Sequence, residues 1–152
     1  MRILIIEDLQ LKVDELTKFI KELIPNAQVE IKMSYHTGLE EVLNNHNNYD
    51  LILLDMSMQN YDISQNEFGG DPINIAGMLI LDQMYNNDIK SKVIVVTMYP
   101  SFGEGSVSLN ALHNRLKSDF PENYLDHVFF NSNDDKWKEN LKDLITKNFE
   151  IL

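Results

Sequence analysis

The sequence predicts a doubly wound α/β fold in which five parallel strands alternate with five helices. Short, continuous apolar runs such as Leu51–Leu54 are typical of strands that are buried on both faces. Between these runs, apolar residues recur at helical spacing, which is what the crossover between two parallel strands requires. The strict alternation favours one parallel sheet with helices on both faces and right-handed crossovers.

The first half of the chain supplies three strands and two helices. A first strand is predicted at residues 3–7, and Pro25 ends the helix that follows. Alternation over residues 29–33 indicates a second strand near the sheet edge, and a capping box over residues 37–40 begins a short helix. Residues 50–55 form the central strand. The apolar stripe of the first helix consists of Leu9, Val13, Leu16, Phe19 or Ile20, and Leu23 or Ile24.

The second half begins with an inserted loop at about residues 56–72, which is polar and irregular. Loops longer than about 12 residues are uncommon in compact domains and are often functional. Asp71 and Pro72 then predict the N-cap and first turn of a helix over residues 73–85. A buried strand is predicted at residues 92–97, followed by a loop at 98–105.

Two further helices and one strand complete the pattern. Ser106 is predicted to cap a helix that Pro121 ends, and residues 128–130 form a short fifth strand. The two helices are marked by the stripes Leu109, Leu112 and Leu116, and then Trp137, Leu141, Leu144 or Ile145, and Phe149.

Length and charge exclude several classes of protein. A chain of 152 residues fits one domain, so residues 1–152 are expected to form a single unit with no output domain. The net charge of −11 argues against direct nucleic-acid binding and against anionic lipid surfaces. No apolar run approaches the roughly 20 residues that span a bilayer. The strand at the very start leaves no room for a signal peptide, and there are no cysteines, so a cytoplasmic protein is expected.

Three carboxylates follow two of the predicted strands. Glu7 and Asp8 end the first strand, and Asp55 ends the third. If these strands are neighbours, the carboxylates converge and repel one another, and a hard cation such as Mg²⁺ relieves that repulsion. Asp8 could also cap the helix that starts at Leu9. The histidines show no metal-ligand spacing and are expected in surface or core positions: His36, His46, His113 and His127.

The motifs Glu7-Asp8, Asp55 and Thr97, in this order and spacing, resemble those of response-regulator receiver domains of two-component systems. The resemblance covers the whole chain and implies a flavodoxin-like sheet with strand order 2-1-3-4-5. It implies that Asp55 is the phosphoacceptor, that Glu7 and Asp8 bind Mg²⁺, and that the backbone carbonyl of Ser57 is a further metal ligand. Thr97 corresponds to the hydroxyl that contacts the phosphoryl group, and Gly77 to a glycine of the third helix.

Two departures from the family pattern stand out. The family carries a lysine at the end of the fifth strand, but Asn131 or Ser132 falls there, and Lys136 belongs to the last helix. The missing ammonium is expected to weaken phosphoryl binding or its coupling to conformational change. The insertion at 56–72 would lie over the site as a lid, a partner surface or a steric block.

Three functional classes follow. The first is a stand-alone receiver that accepts a phosphoryl group on Asp55 from a histidine kinase or phosphotransfer protein and signals to a downstream protein effector. The second is a pseudo-receiver, a phosphorylation-independent adaptor, which the missing lysine and the insertion favour. The third is a small flavodoxin-like enzyme or cofactor binder, which is least supported because no phosphate-cradling loop follows the first strand.

Overall fold

The structure of the protein is a computed structural model. It describes residues 1–59, 63–64, 67–68, 72–73, 75–98, 101–102 and 107–151.

Five parallel strands form one sheet in the order 2-1-3-4-5. The strands are β1 (Arg2–Ile6), β2 (Gln28–Lys32), β3 (Leu51–Leu54), β4 (Lys92–Thr97) and β5 (Tyr124–Phe129). Strand β1 lies between β2 and β3, and its Ile6 is in register with Leu54 of β3. Leu54 is in turn in register with Val95 of β4. The carboxyl ends of the three central strands therefore meet at one edge, as the sequence predicted.

The helices cover both faces of this sheet. They are α1 (Gln10–Leu23), α2 (Tyr35–Asn45), α3 (Ala76–Asn86), α4 (Leu109–Asp119) and α5 (Lys136–Asn148). Because side chains alternate along a strand, Ile3 and Ile5 face a core built with α1 and α5. Leu4 and Ile6 face a second core, to which α2, α3 and α4 contribute. The doubly wound architecture with helices on both faces is confirmed.

Several helix starts differ from the predictions. Helix α2 begins at Tyr35, two residues before the predicted capping box, because the buried Ser34 is its N-cap and its Oγ accepts the Thr37 N–H at 3.2 Å. Helix α4 is capped by Ser108, which accepts the Ala111 N–H at 3.2 Å, whereas the predicted cap Ser106 lies outside the described residues. In both cases a serine with extended backbone stands directly before the first helical residue, which is the geometry that an N-cap requires.

The start of α3 and the length of β5 were also predicted wrongly. Pro72–Ile73 pairs antiparallel with Met58–Gln59, so α3 begins only at Ala76. The predicted N-cap Asp71 lies outside the described residues. Strand β5 begins at Tyr124, well before the predicted residue 128, because its half-buried residues do not form a continuous apolar run. Its register shifts between Tyr124 and Asp126.

The inserted segment contains two short antiparallel pairs. Met58–Gln59 pairs with Pro72–Ile73, and Ile63–Ser64 pairs with Glu67–Phe68. A third pair, Ser101–Phe102 with Val107–Ser108, precedes α4. Apart from these pairs and from Met56, Ser57 and Met98, the residues of the insertion and of the predicted 98–105 loop lie outside the described part of the chain. The lid, partner-surface and steric-block interpretations therefore stay predictions.

Within the described ranges, no helix combines the length and the apolar composition that crossing a bilayer requires.

Candidate functional site

The three predicted carboxylates meet at the carboxyl edge of the sheet. The main-chain N–H of Asp55 donates to the Ile6 carbonyl at 3.1 Å, which joins the ends of β1 and β3. Glu7 and Asp55 are buried and Asp8 is half-buried. One oxygen from each carboxylate can be chosen so that all three lie within 4.8 Å of one another. The predicted acidic corner is therefore present as a three-dimensional cluster.

A lysine that was not predicted lies at the centre of this cluster. Lys12 projects from the first turn of α1 and is completely buried. Its ammonium forms an ion pair with Glu7 Oε2 and lies 3.5 Å from Asp55 Oδ2. It also donates a hydrogen bond to the Val96 carbonyl of β4 at 2.6 Å. Lys12 therefore connects the ends of three strands and is the cation nearest to the candidate phosphoacceptor among the described residues.

Burial dominates the electrostatics of the corner. It raises the pKa of Glu7 to about 8, and the Lys12 ammonium opposes this shift only in part. Burial also raises the pKa of Asp55. The Lys12 ammonium opposes this shift, and the negative charge of the nearby Asp8 adds to it. The ionised carboxylates are thus under-compensated by the protein alone, because removal from water penalises each charge.

The Asp55 carboxylate has a main-chain N–H beside one oxygen and the Lys12 ammonium beside the other. Its Oδ1 accepts the Met56 N–H at 2.8 Å, while its Oδ2 is the oxygen nearest to Lys12. Helix α3 packs directly against this turn, since the Gly77 N–H donates to the Met56 carbonyl at 3.1 Å. A Cβ atom on Gly77 would lie 2.6 Å from the Asp55 carbonyl oxygen, so only glycine fits. The resemblance pointed to this glycine, and its close approach to Asp55 gives the physical reason.

The remaining predicted site residues lie nearby. Thr97 is completely buried at the end of β4, two residues beyond the register partner of Leu54. Ser57 is half-buried, two residues after Asp55. Asp8 does not cap α1, since the N-cap residue is Leu9, and it is the Glu7 side chain that accepts the Leu9 N–H at 3.0 Å.

The end of β5 has a different role from that in the family pattern. Asn131 Oδ1 accepts the Asn133 N–H at 3.0 Å, so this residue shapes the turn before α5. Lys136 is exposed at the start of α5. Phe130 instead contributes an aromatic ring, whose centroid lies 5.9 Å from the Lys12 ammonium and within cation–π range. The expectation that the corner lacks an ammonium group is wrong: the ammonium comes from α1.

A signal for Lys12 was present in the sequence. Lys12 lies three residues after Leu9 and four residues before Leu16, on the apolar side of a helical pattern. A lysine in such a stripe either extends its ammonium to solvent or is buried with a partner. The sequence pattern does not decide between these outcomes, because the partner lies in the three-dimensional neighbourhood of the helix.

The corner also has the charge and donor chemistry that suit a divalent cation. Three carboxylates and one ammonium leave two negative charges when all four groups are ionised. Mg²⁺ takes oxygen ligands, usually one or two carboxylates together with water. By contrast, a cavity of about 540 Å³ lined by Met84, Lys90 and Phe120 lies at the amino ends of β4 and β5. It is therefore not part of this corner, which lies at the carboxyl ends of the strands.

The chain is similar over nearly its whole length to two bacterial proteins. It is 28% identical over 150 residues to the Detocs response regulatory protein DtcB of Enterobacter cloacae. This alignment covers 97% of this chain and 99% of that protein. It is 27% identical over 147 residues to the uncharacterized protein y4jR of Sinorhizobium fredii, with 93% and 95% covered. No protein-family model matches the sequence.

Solved structures with the same fold are response regulators. The response regulator protein TrrA from Thermotoga maritima, in complex with Mg²⁺-BeF, superposes with a TM-score of 0.58 at 20% identity, covering 95% of this chain and 98% of that one. The complex of the histidine kinase ThkA with TrrA gives a TM-score of 0.56 at 19% identity, with 95% and 97% covered. The flavodoxin-like fold expected from the sequence is therefore confirmed.

Proposed function

We propose that this chain, which has the fold of response-regulator receiver domains, accepts a phosphoryl group on Asp55 in a phosphorelay. The observation that carries the proposal is the convergence of Glu7, Asp8 and Asp55 around the Lys12 ammonium at the carboxyl ends of the strands. In open α/β sheets this edge is where ligands bind. The similarity to a response regulatory protein supports the same conclusion.

The chemistry required of the corner is nucleophilic attack by a carboxylate. An oxygen of Asp55 forms a bond to phosphorus while the bond from phosphorus to the donor nitrogen of phosphohistidine breaks. The electron pair of that bond stays on the imidazole nitrogen, and the product on the protein is an acyl phosphate. Phosphoryl transfer depends mainly on positioning and charge neutralisation. The Met56 N–H positions the carboxylate by donating to Asp55 Oδ1, and the Lys12 ammonium lies 3.5 Å from the other oxygen, Oδ2.

Lys12 carries out the role that the family assigns to the strand-end lysine. Before transfer, its ammonium is shared between Glu7 and Asp55. Once Asp55 is phosphorylated, that carboxylate has lost its charge, and the phosphoryl oxygens become the stronger acceptors for the ammonium. The hydroxyl of Thr97, at the end of the adjacent strand, is the proposed second phosphoryl contact.

The residues that would hold Mg²⁺ are Asp8 and Asp55, the main-chain carbonyl of Ser57, and Glu7. When bound, the ion neutralises negative charge that accumulates on the phosphoryl oxygens. The excess negative charge of the corner and the raised pKa of Asp55, caused first by burial, support such a site. A structural neighbour, TrrA, has been solved with Mg²⁺-BeF.

The proposed partners are a histidine kinase or phosphotransfer protein as donor and a downstream protein as effector. A histidine kinase complex of the neighbour TrrA supports a kinase as donor. The protein is proposed to act in the cytoplasm as a signalling domain whose only reaction is its own phosphorylation. No nucleic-acid or membrane contact is proposed.

The test is labelling by a small phosphodonor such as acetyl phosphate, with and without Mg²⁺. We expect intact-mass spectrometry to show one added phosphoryl group per chain, which Asp55→Asn abolishes and which chelation of Mg²⁺ strongly reduces. A matched control is Asp50→Asn, because Asp50 lies exposed at the opposite end of β3. Labelling that persists in Asp55→Asn would contradict the proposal.

The second candidate is a phosphorylation-independent adaptor. It is favoured by one observation, the burial of Asp55 to 5% exposure with Lys12 already paired to it. In that case Lys12 would serve as a permanent counter-ion, and the corner would stabilise the fold. A folded protein that remains unlabelled by acetyl phosphate and by a panel of phosphorylated kinases would support the adaptor.

A further inference from the structure

A second cluster of ligand groups lies between α4 and the edge strand β5. His113 of α4 and the consecutive residues Asp126 and His127 of β5 bring two imidazole nitrogens and a carboxylate oxygen together. The distances are 3.2 Å between the two Nδ1 atoms, 3.3 Å from His127 Nδ1 to Asp126 Oδ1, and 3.6 Å from His113 Nδ1 to the same oxygen. Since β5 is at the sheet edge, this cluster is separate from the acidic corner.

These distances match the edges of a tetrahedral coordination shell. With bonds of about 2.0–2.2 Å from zinc to nitrogen and oxygen ligands, tetrahedral ligand atoms lie about 3.3–3.5 Å apart. Octahedral magnesium with bonds of about 2.0–2.1 Å would bring adjacent ligands to about 3.0 Å. Two imidazoles and one carboxylate also form a donor set suited to zinc and to other late transition metals.

We propose that His113, Asp126 and His127 form a binding site for a tetrahedral divalent transition-metal ion such as Zn²⁺. The ligand atoms are Nδ1 of both histidines and Oδ1 of Asp126. Water takes the fourth position, and the Tyr124 hydroxyl, which lies 2.7 Å from His113 Nδ1 and 3.3 Å from His127 Nδ1, is close enough to form a hydrogen bond with that water.

The surroundings hold the ligands in place. Asp126 Oδ1 accepts the main-chain N–H of His127 at 2.8 Å, so the carboxylate is folded back beside the His127 ring. The two imidazole rings lie with centroids 4.8 Å apart. The side chains of His113, His127 and Asp126 are 23%, 22% and 41% exposed, which leaves a path from solvent to the ligand atoms.

Metal binding would link helix α4 to the strand that follows it, β5, through side chains of both elements. His113 belongs to α4, and the other two ligands belong to β5. Helix α4 follows the segment that begins after Thr97, so a bound ion would fix the helix next to that segment against the sheet edge. Because binding would occur only in the folded state, it would also raise the melting temperature.

The test is calorimetric titration of the chelator-stripped full chain with ZnCl₂, in buffer containing excess Mg²⁺ to occupy the acidic corner. We expect one Zn²⁺ per chain. His113→Gln and His127→Gln should each weaken binding at least about tenfold, because even changes to residues behind metal ligands cost 10- to 100-fold. His36→Gln, on the exposed surface of α2, is the matched control and should bind zinc normally.

A second measurement tests the coordination geometry of the bound ion and its location at this site. Co²⁺ added in place of zinc should give the intense visible absorption of a tetrahedral ion, lost in His127→Gln. Circular dichroism of each variant checks that it is folded. Zinc binding that is unchanged in both histidine variants, or that disappears only in Asp55→Asn, would overturn the proposal. Such results would leave the three side chains as a hydrogen-bonded cluster around Tyr124.

Discussion

At the scale of single residues, Lys12 is the side chain on which the candidate site depends. It is fully buried, and it contacts Glu7, Asp55 and the Val96 carbonyl at once. A receiver-like corner therefore does not need its ammonium to come from the end of the fifth strand. In this chain helix α1 supplies a positive charge beside the proposed phosphoacceptor, Asp55.

Replacement of this lysine is expected to cost stability as well as labelling. Lys12→Met keeps the length of the side chain but leaves two buried carboxylates without their cation, a change that typically costs about 3–5 kcal/mol. Urea unfolding above the Glu7 pKa of about 8, where both carboxyl groups are ionised, should show this loss, and the rate of labelling by acetyl phosphate should fall.

The matched control for this change is Lys18→Met, on the exposed side of the same helix, which should stay within about 0.5 kcal/mol of wild type. In the double variant Lys12→Met with Glu7→Gln, part of the stability should return, since one of the unpaired charges has been removed. A stable Lys12→Met protein that labels at the wild-type rate would contradict the assigned role.

The pKa of Glu7 predicts a specific dependence of stability on pH. Burial raises this pKa from 4.5 to about 8, so the folded state holds the proton more tightly than the unfolded chain does. The stabilising contribution of that proton is complete below pH 4.5 and is lost as the pH rises through 8. Lys12, Asp55 and Asp8 are the charged groups that face Glu7.

In metal-free buffer, we expect the free energy of unfolding to fall with rising pH more steeply in wild type than in Glu7→Gln. Urea unfolding at about pH 5, 6.5 and 8 would measure the slope. The exposed Glu22 of α1 provides the control variant, Glu22→Gln, which should keep the wild-type slope. Identical slopes in wild type and Glu7→Gln would show that Glu7 does not titrate in this range.

At the scale of elements, the packing of α3 against the end of β3 sets the position of Asp55. Gly77 allows the helix backbone to approach the Asp55–Met56 peptide, and Met56 in turn orients the carboxylate. Gly38 has a comparable role in α2, where an added Cβ would lie 2.6 Å from Ile6 Cγ2. Two helices thus use glycines to pack against the ends of neighbouring strands.

Gly77→Ala is expected to destabilise the protein despite the better helix propensity of alanine. The new methyl group would lie 2.6 Å from the Asp55 carbonyl oxygen and 2.7 Å from Met56 Sδ, so α3 or the turn must shift. Such overpacking costs about 1–3 kcal/mol. Thermal unfolding would measure this cost, and labelling of Asp55 should fall because the turn carries Asp55, the proposed phosphoacceptor.

The control for helix propensity is Asp82→Ala, at an exposed position of α3, which should change stability by no more than about 0.5 kcal/mol. If Gly77→Ala were as stable as this control and labelled normally, the close approach of α3 to Asp55 would not be required for the site.

At the scale of the whole molecule, negative charge is the dominant electrostatic property. The chain carries 24 acidic and 13 basic residues, for a net charge of −11. Part of this excess is concentrated in the buried corner, where repulsion is least screened. A divalent cation that binds there would relieve both the local repulsion and some of the overall charge.

Mg²⁺ is therefore expected to raise the melting temperature more than NaCl of equal ionic strength does. At a concentration 100 times the dissociation constant, one site contributes about 2.7 kcal/mol. Differential scanning calorimetry would measure the effect, and Asp8→Asn should reduce it. The matched variant Asp14→Asn, exposed on α1, should keep it. An equal response of both variants would indicate general screening rather than a specific site.

Local sequence patterns were enough to predict that strands and helices alternate and that three carboxylates follow two of the strands. Apolar runs and helical stripes depend on periods of two and 3.6 residues, which are local properties. They located the five strands and five helices, apart from the extent of β5 and the first residues of three helices. Glu7, Asp8 and Asp55 could be proposed as a carboxylate cluster because they follow apolar runs, whereas the role proposed for Thr97 came from the resemblance to receiver domains.

By contrast, the contact of Lys12 with the acidic corner and the contact between His113 and His127 are seen only in the folded structure. Lys12 reaches Val96 across 84 positions of sequence, and His113 meets Asp126 and His127 across the boundary between a helix and a strand. No periodicity encodes these distances, since they arise from the packing of α1 and α4 against the sheet. The chemistry of a site depends on distances between side chains, and folding sets those distances between residues that are far apart in the sequence.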